Sequence, residues 1–401
     1  MKIRLSHMVC YLIALTLSLW CFGKDIPGIK IGLFMGGIIV FFYLSPVLFL
    51  RKTLQIPHKL LFVSFVALHL VVINPFKSNP FALSFSFKIL TAFIFLFLLV
   101  NLVDNFELYS KMMLVHLFAV TVLVAVFVYL HLVVFHSTFL TVNLTKSGLF
   151  YGGRGGKNTL SFILALLFPF YYARFSHKKN IFNLLIVLLM GFSVLYTLSR
   201  MALISMVLSL LLFPLLAIRR TMYIKQFVVV ATLVMMISLS FGIGLKTFMA
   251  LKDPTNAESI ERGQGEFVGA EGHRMRLARA GVSGFLTSPL FGHGVASFRQ
   301  QEATGESLSH NDYLQILYEL GLSGILLFLG IIIVSLRDLM ECRKNIPEEH
   351  QWLWDGQIVC LLSLCVTLLF INVYETMPFW FVLAGCHILV KVSQKKENYE
   401  S

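Results

Sequence analysis

The stretch HRMRLARAGVSGFLTSPLFGHGVASF, residues 273–298, is followed after a polar spacer by SLSHNDYLQILYELGLSG, residues 307–324, which runs directly into ILLFLGIIIVSL. The first half carries Arg274, Arg276 and Arg279, with Arg299 just beyond, and no acid lies between Gly272 and Gln301. Clustered cations with no acid near them in sequence point to an anionic ligand. The second half passes from polar residues into an apolar run long enough to cross a bilayer as a helix. A basic, glycine-punctuated segment outside a membrane therefore feeds into a membrane-spanning helix, and that junction sets the class of fold.

Ser309 followed by Asp312 fits the capping-box pattern, which predicts a helix with His310 and Asn311 in its first turn. Exposed backbone N–H groups and the dipole at such an end favour an anion and disfavour a second positive charge, so the imidazole of His310 is expected to stay neutral. A neutral histidine can act as a base. The same spacing also describes an ordinary capped helix with an interfacial histidine, and spacing alone leaves both readings open.

Working outward, the 401 residues are 57% hydrophobic and 13% charged, with a mean hydropathy of +0.81. Soluble domains carry about 25% charged residues. The chain therefore reads as an all-α, polytopic integral membrane protein. Apolar runs near 8–22, 31–50, 57–73, 84–103, 112–135, 158–175, 181–198, 201–218, 226–245, 312–335, 352–372 and 377–392 predict about twelve spans in one membrane domain, 1–401. Lys2 and Arg4 ahead of the first run resemble a signal peptide, but Lys24 and Asp25 follow without a small-x-small cleavage site, so a retained first span is expected.

Positive charge alternates between connections. Arg51 and Lys52; Arg174, Lys178 and Lys179; Arg219, Arg220 and Lys225; Arg337, Arg343 and Lys344; and Lys391, Lys395 and Lys396 all fall on one side. The positive-inside rule makes that side, and both termini, cytoplasmic, and leaves 246–311 as a large outer loop between the ninth and tenth spans. Topology then accounts for most of the net charge of +13, which in a soluble protein would suggest nucleic acid. The six cysteines include no C-x-x-C pair and none in the outer loop, so neither a disulfide framework nor a thiolate metal site is indicated.

Other cations face the same outer side. Lys77 and Lys88 fall near the outer ends of the third and fourth spans, where a lysine snorkels or meets an anion. Tyr151-Gly152-Gly153-Arg154-Gly155-Gly156-Lys157-Asn158 looks like a phosphate loop but lacks its first glycine, its final Ser/Thr and a preceding strand. Arg154 and Lys157 on a flexible outer loop then either contribute to anion binding or sit in a plain re-entry turn, and both readings stay open. Arg200 sits in the middle of the apolar run 181–218 and splits it into two spans joined by a tight outer turn; an arginine at that depth lines a wet cavity or has a partner.

Within the outer loop, Asp253, Glu258, Glu261, Glu266 and Glu271 read as solvated. A helix is expected over His273–Leu286, with Met275, Ala278, Val282 and Phe285 on one face, Arg274 and Arg279 flanking it and Arg276 opposite. Such a helix lies on the membrane surface with its arginines at phosphate level. Ser288-Pro289 ends it, and Gly292 and Gly294 turn the chain back towards the bundle. Trp352 and Trp354 fit an interfacial belt, and Glu375 reads as a lone, solvated outer carboxylate.

His310-Asn311, nine residues, Gly321, two residues, Gly324 resembles the H-[NSQ]-x9-G-x-x-[GTY] signature of the O-antigen ligase family. Arg274-Met275-Arg276-Leu277-Ala278-Arg279-Ala280 and Pro289-Leu290-Phe291-Gly292-His293-Gly294 are similar to that family's arginine-led helix and P-x-x-G-x-G turn, with Ala278 where many members carry Trp. The resemblance is loose over the whole topology and closer over 196–324. It implies a GT-C-like glycosyltransferase of the inner membrane with its site on the periplasmic face, partly on 246–311. The reaction implied moves an O-antigen glycan from undecaprenyl diphosphate to the outer core sugar of lipid A-core. No cofactor is expected, neither metal nor ATP, because the diphosphate linkage already activates the donor.

Under that resemblance His310, Arg200 and Arg274 are the expected catalytic residues, and Arg276, Arg279, Asn311, Lys88 and Arg154 the expected contacts to diphosphate or acceptor. Arginine's fixed charged fork suits a departing diphosphate, and a neutral histidine suits deprotonation of an acceptor hydroxyl. His310 could instead orient the acceptor or bind diphosphate. An O-antigen polymerase would share the donor and differ in acceptor. A secondary transporter or lipid flippase would place its charges near the bilayer midplane, whereas here they gather at the outer face.

Overall fold

The computed structural model describes residues 10–15, 18, 58–71, 80–129, 156–197, 199–216, 270–300 and 309–400. Ten α-helices have their bounds among these residues: α1 (Lys59–Val71), α2 (Pro80–Leu102), α3 (Phe106–Tyr129), α4 (Gly156–His177), α5 (Ile181–Tyr196), α6 (Arg200–Leu216), α7 (Ala270–Thr287), α8 (Asp312–Glu341), α9 (Gln351–Thr367) and α10 (Met377–Glu400). Short 3-10 turns cover Ser297–Gln300, Cys342–Asn345 and Glu348–His350, and there is no strand among the described residues. By length and composition α2, α3, α8 and α10 can cross a membrane, while α1, α5 and α6 are shorter apolar helices. Among the described residues the protein is all-helical, with four helices of membrane-spanning length and composition. The predicted spans 31–50 and 226–245 lie outside the described residues, as do most of 8–22 and the loop 246–269.

Several helix ends differ from the hydropathy reading for local reasons. α3 starts at Phe106 because Asn105 Oδ1 accepts the Leu108 N–H at 2.8 Å, and Glu107 pairs with Lys111 one turn later at 2.9 Å, so the helix continues through polar residues. The split at Arg200 is made by a hydroxyl. Thr197 Oγ1 donates to Val194 O at 2.7 Å and accepts from Ser199 N at 3.3 Å, ending α5 and letting α6 begin at Arg200.

Side-chain links sort the helix ends into two groups. At one end Lys391 Nζ donates to Val100 O at 2.6 Å, His177 pairs with Asp355 at 2.8 Å, Trp354 Nε1 donates to Leu339 O at 2.6 Å, and His350 stacks on Phe106. The C-termini of α2, α4 and α8 and the N-termini of α3 and α9 therefore meet there. Arg174 lies over the Trp352 ring and Arg343 over the Trp354 ring at this end. Both tryptophans are buried between helices instead of forming the lipid-facing belt expected of them, because these arginines and the α4–α9 packing cover them.

The opposite end collects the start of α8, the α9–α10 connection and the start of α10, through hydrogen bonds from Val373 and Tyr374 to Asp312. α5 runs back from the α4 end, so α6 begins at this opposite end, and Ser209 Oγ lies 2.9 Å from Ser363 Oγ as α6 descends beside α9. Between the two ends the core is aromatic around Trp380, Phe328 and Phe379. Gln357, buried in this core, accepts from Tyr109 Oη at 3.1 Å and donates to Val382 O at 2.8 Å.

Candidate active site at the start of helix α8

The N-cap of α8 is Asn311, whose Oδ1 accepts from Leu314 N at 3.0 Å. This corrects the predicted register. Ser309 is not the cap, and His310 and Asn311 precede the helix, because the short amide side chain of Asn311 reaches the third-residue N–H directly. Ser309 Oγ instead donates to Asn311 O at 2.7 Å and accepts from Asn311 N at 3.2 Å, closing a small turn over His310. His310 sits in that turn with φ +55°, a left-handed conformation that non-glycine residues adopt at some cost.

Two of the first N–H groups of α8 are already occupied. Asp312 N donates to Leu368 O at 2.8 Å, and Leu314 N is held by the cap. These two N–H groups are therefore not available to an anion beside His310. His310 lies in the turn before the helix, half-buried.

Gly321 breaks α8 at φ +64°, ψ −158°. In a regular helix the N–H groups of Leu322 and Ser323 would donate to the carbonyls of Tyr318 and Glu319. Here Leu322 N donates to Pro289 O at 2.8 Å and Ser323 N to Leu290 O at 3.1 Å, while Tyr318 O accepts from His293 N at 3.0 Å and Glu319 O from Gly294 N at 2.9 Å. The Pro289–Gly294 turn is thus inserted into the hydrogen-bond ladder of α8 and satisfies all four displaced groups. A Cβ on Gly292 would lie 2.6 Å from Leu320 N, and one on Gly321 2.7 Å from Gly292 N, so only glycine permits this approach.

The same docking fixes α7. Gly281 lies against the Leu314 side chain and Gly284 against the Tyr318 ring; Leu277, Phe298 and Tyr318 form a small buried cluster. His293 stacks on Tyr318 and its Nε2 sits 2.8 Å from Gly284 O. The helical face that packs is Leu277–Gly281–Gly284, whereas of the expected apolar stripe Met275 and Val282 are exposed, as are Arg276 and Arg279, and Ala278 and Phe285 are only half-buried. Because Gly281 matches Leu314 and Gly284 matches Tyr318, α7 and α8 run in the same sense. The first turns of α7, with Arg274 and Arg276, therefore extend past the start of α8 on the side of the Ser309–Asn311 turn.

Lys88, on α2, pairs with Glu375 at 3.2 Å. Glu375 is therefore not the solvated rim carboxylate expected; its side chain is 10% exposed, and it sits on the α9–α10 connection that Asp312 anchors. Arg200 opens α6 at this same end, and Arg274 lies in the first turns of α7; their side chains, and Arg154 altogether, lie outside the described residues. The end of the bundle that carries His310 and Asn311 thus also carries Lys88 and the backbones of Arg200, Arg274, Arg276 and Arg279. Among the described residues no three His, Cys, Asp or Glu come together as a metal-holding group.

Sequence reading missed the anchors of this end, Asp312 as a buried acceptor and Asn372 as its amide partner. The available signal was a carboxylate placed at the head of a membrane-length, largely apolar run, which needs a fixed partner. Compared with known proteins, residues 185–329 match the family model described as O-antigen ligase, a segment that contains Arg200, α7, the docked turn and the start of α8. No curated protein matches the chain.

Proposed function

From the match of residues 185–329 to the O-antigen ligase family model, we propose that the chain transfers O-antigen polysaccharide from undecaprenyl diphosphate to the outer core sugar of lipid A-core. The family makes it an enzyme of O-antigen ligation or polymerisation that acts on lipid-linked polysaccharide. The preference for ligation over polymerisation rests on the His310–Gly324 signature.

An acceptor hydroxyl attacks the anomeric carbon of the donor, the bond from that carbon to the diphosphate oxygen breaks, and the diphosphate leaves with the electron pair. His310 takes the hydroxyl proton. Arg200 and Arg274 hold the departing charge, with Arg276, Arg279, Asn311, Lys88 and Arg154 as substrate contacts. One displacement inverts the anomeric centre. The proposal places the site at the periplasmic face of the inner membrane, with both termini cytoplasmic; in support, Arg174, Arg343 and Lys391 all lie at the end opposite His310.

The observation that carries the reading is the insertion of the Pro289–Gly294 turn into α8 at Gly321, which ties the arginine-bearing helix to the histidine-bearing turn. The test is a lipopolysaccharide gel from a deletion strain carrying plasmid copies of wild type, Arg200→Ala, Arg274→Ala or His310→Ala. Bare core in the deletion, with long glycan accumulating on the lipid carrier and restored ligation by wild type, is the result expected. Core bearing a single repeat would identify the polymerase, which acts on the same donor, and would overturn the acceptor assignment.

A further inference from the structure

We infer that Asp312 is a positioning residue of the transfer site, holding the His310 turn and the α9–α10 connection in one fixed arrangement. This inference rests on the transferase reading above and adds a residue that the reading does not use.

Asp312 is fully buried at the first position of α8. A carboxylate without water is costly unless its oxygens are filled. Here Oδ2 accepts from Val373 N at 2.8 Å and Tyr374 N at 3.0 Å, and Oδ1 accepts from Asn372 Nδ2 at 3.2 Å. The backbone of the same residue donates to Leu368 O at 2.8 Å. One residue therefore grips both ends of the connection between α9 and α10.

The link extends to His310 through one amide. Asn372 Nδ2 also donates to Ser309 Oγ at 3.1 Å, and Ser309 Oγ closes the turn that holds His310 in its left-handed conformation. On the far side of the connection Glu375 pairs with Lys88. Loss of the Asp312 acceptors would loosen the His310 turn and the Lys88–Glu375 pair together, while leaving each of those side chains present.

This arrangement differs from a purely structural anchor in what it moves. Small misplacement of a reacting group lowers turnover by up to about 100-fold while remote binding contacts persist. The experiment compares purified full-length wild type, Asp312→Asn and Asn372→Ala in transfer from lipid-linked O-antigen to lipid A-core, with kcat and KM for both substrates and the thermal midpoint of each protein. Asp312→Asn keeps the volume and removes the acceptor that faces Asn372; Asn372→Ala breaks the bridge to Ser309 without disturbing the carboxylate's two backbone donors.

The expected result is a kcat lowered by about 10- to 100-fold in both variants, with KM changed less than about 3-fold. The double variant should be no worse than the poorer single one, because both act through one network. Wild-type kcat in Asn372→Ala, or losses that track only the fall in folded protein, would overturn the inference; the Asn372 variant decides the matter if Asp312→Asn does not fold. A wild type that elongates lipid-linked glycan but leaves lipid A-core untouched would refute the ligase reading alone, and the same comparison then runs on elongation.

Discussion

Gly292 meets Gly321 backbone to backbone, so closely that a Cβ on residue 321 would stand 2.7 Å from the Gly292 nitrogen. Both residues have positive φ, 69° and 64°. Gly321→Ala should therefore lose the docked turn and, with it, transfer. The backbone at φ +64°, ψ −158° lies in a region adopted essentially by glycine alone and costs alanine about 1–3 kcal/mol, and the displaced hydrogen bonds add about 1 kcal/mol each. Gly330→Ala is the matched control, because its added Cβ meets Leu61 Cδ1 at 3.3 Å, the end of a flexible side chain. Thermal midpoints of the purified proteins should fall for the first and stay close to wild type for the second; equal midpoints would show that the turn is not locked by these glycines.

The turn that holds His310 separates strain from chemistry. At φ +55° glycine is the least strained residue, so His310→Gly should be more stable than His310→Ala by about 1 kcal/mol. If His310 is the base, both variants should nevertheless lose transfer by at least about 100-fold. The check is a thermal midpoint paired with the ligation assay on the same preparations. Substantial transfer by either variant at normal membrane levels would reject the base assignment.

What was legible in advance followed from one-dimensional regularities. The apolar runs gave the membrane class, and the break at Arg200 was readable because two spans cannot be continuous over 38 residues of bilayer-length apolar sequence, 181–218. The glycine and histidine spacing carried the family resemblance, but not why the glycines are there. Gly321 and Gly292 lie far apart in sequence, and their meeting depends on four exchanged backbone bonds that no hydropathy pattern encodes. Asp312 misled for the opposite reason. A local pattern, S-x-x-D, offered a complete explanation as a capping box, whereas the carboxylate is held by residues about sixty positions away.

Lys88 enters the site already paired. With Glu375 Oε2 at 3.2 Å and its own side chain half exposed, its attraction for a diphosphate is partly offset, and pairs of this exposure contribute about 0.2–1 kcal/mol. Lys88→Ala should therefore reduce transfer by less than about 10-fold, whereas Arg274→Ala should cost about 100-fold or more if Arg274 carries the leaving charge. Glu375→Ala, which releases the lysine, should lower the KM for donor if Lys88 binds it. Steady-state kinetics on the three variants distinguish these outcomes, and a Lys88→Ala loss as large as that of Arg274→Ala would make the lysine a principal phosphate ligand.

The far end of the bundle provides the contrast that isolates the site. His177 and Asp355 pair at 2.8 Å with side chains only 8% and 5% exposed, tying the end of α4 to the start of α9. Removing one partner leaves a polar group buried without its complement, so Asp355→Ala should destabilise the protein by about 3–5 kcal/mol. The double variant His177→Leu with Asp355→Leu should recover part of that loss, since apolar replacement of both partners removes the uncompensated charge. Transfer per molecule of folded protein should be unchanged in either case, because the pair lies at the opposite end from His310. Thermal midpoints and kcat normalised to folded protein would check this, and a fall in kcat beyond the loss of folded material would mean that the two ends of the bundle are coupled.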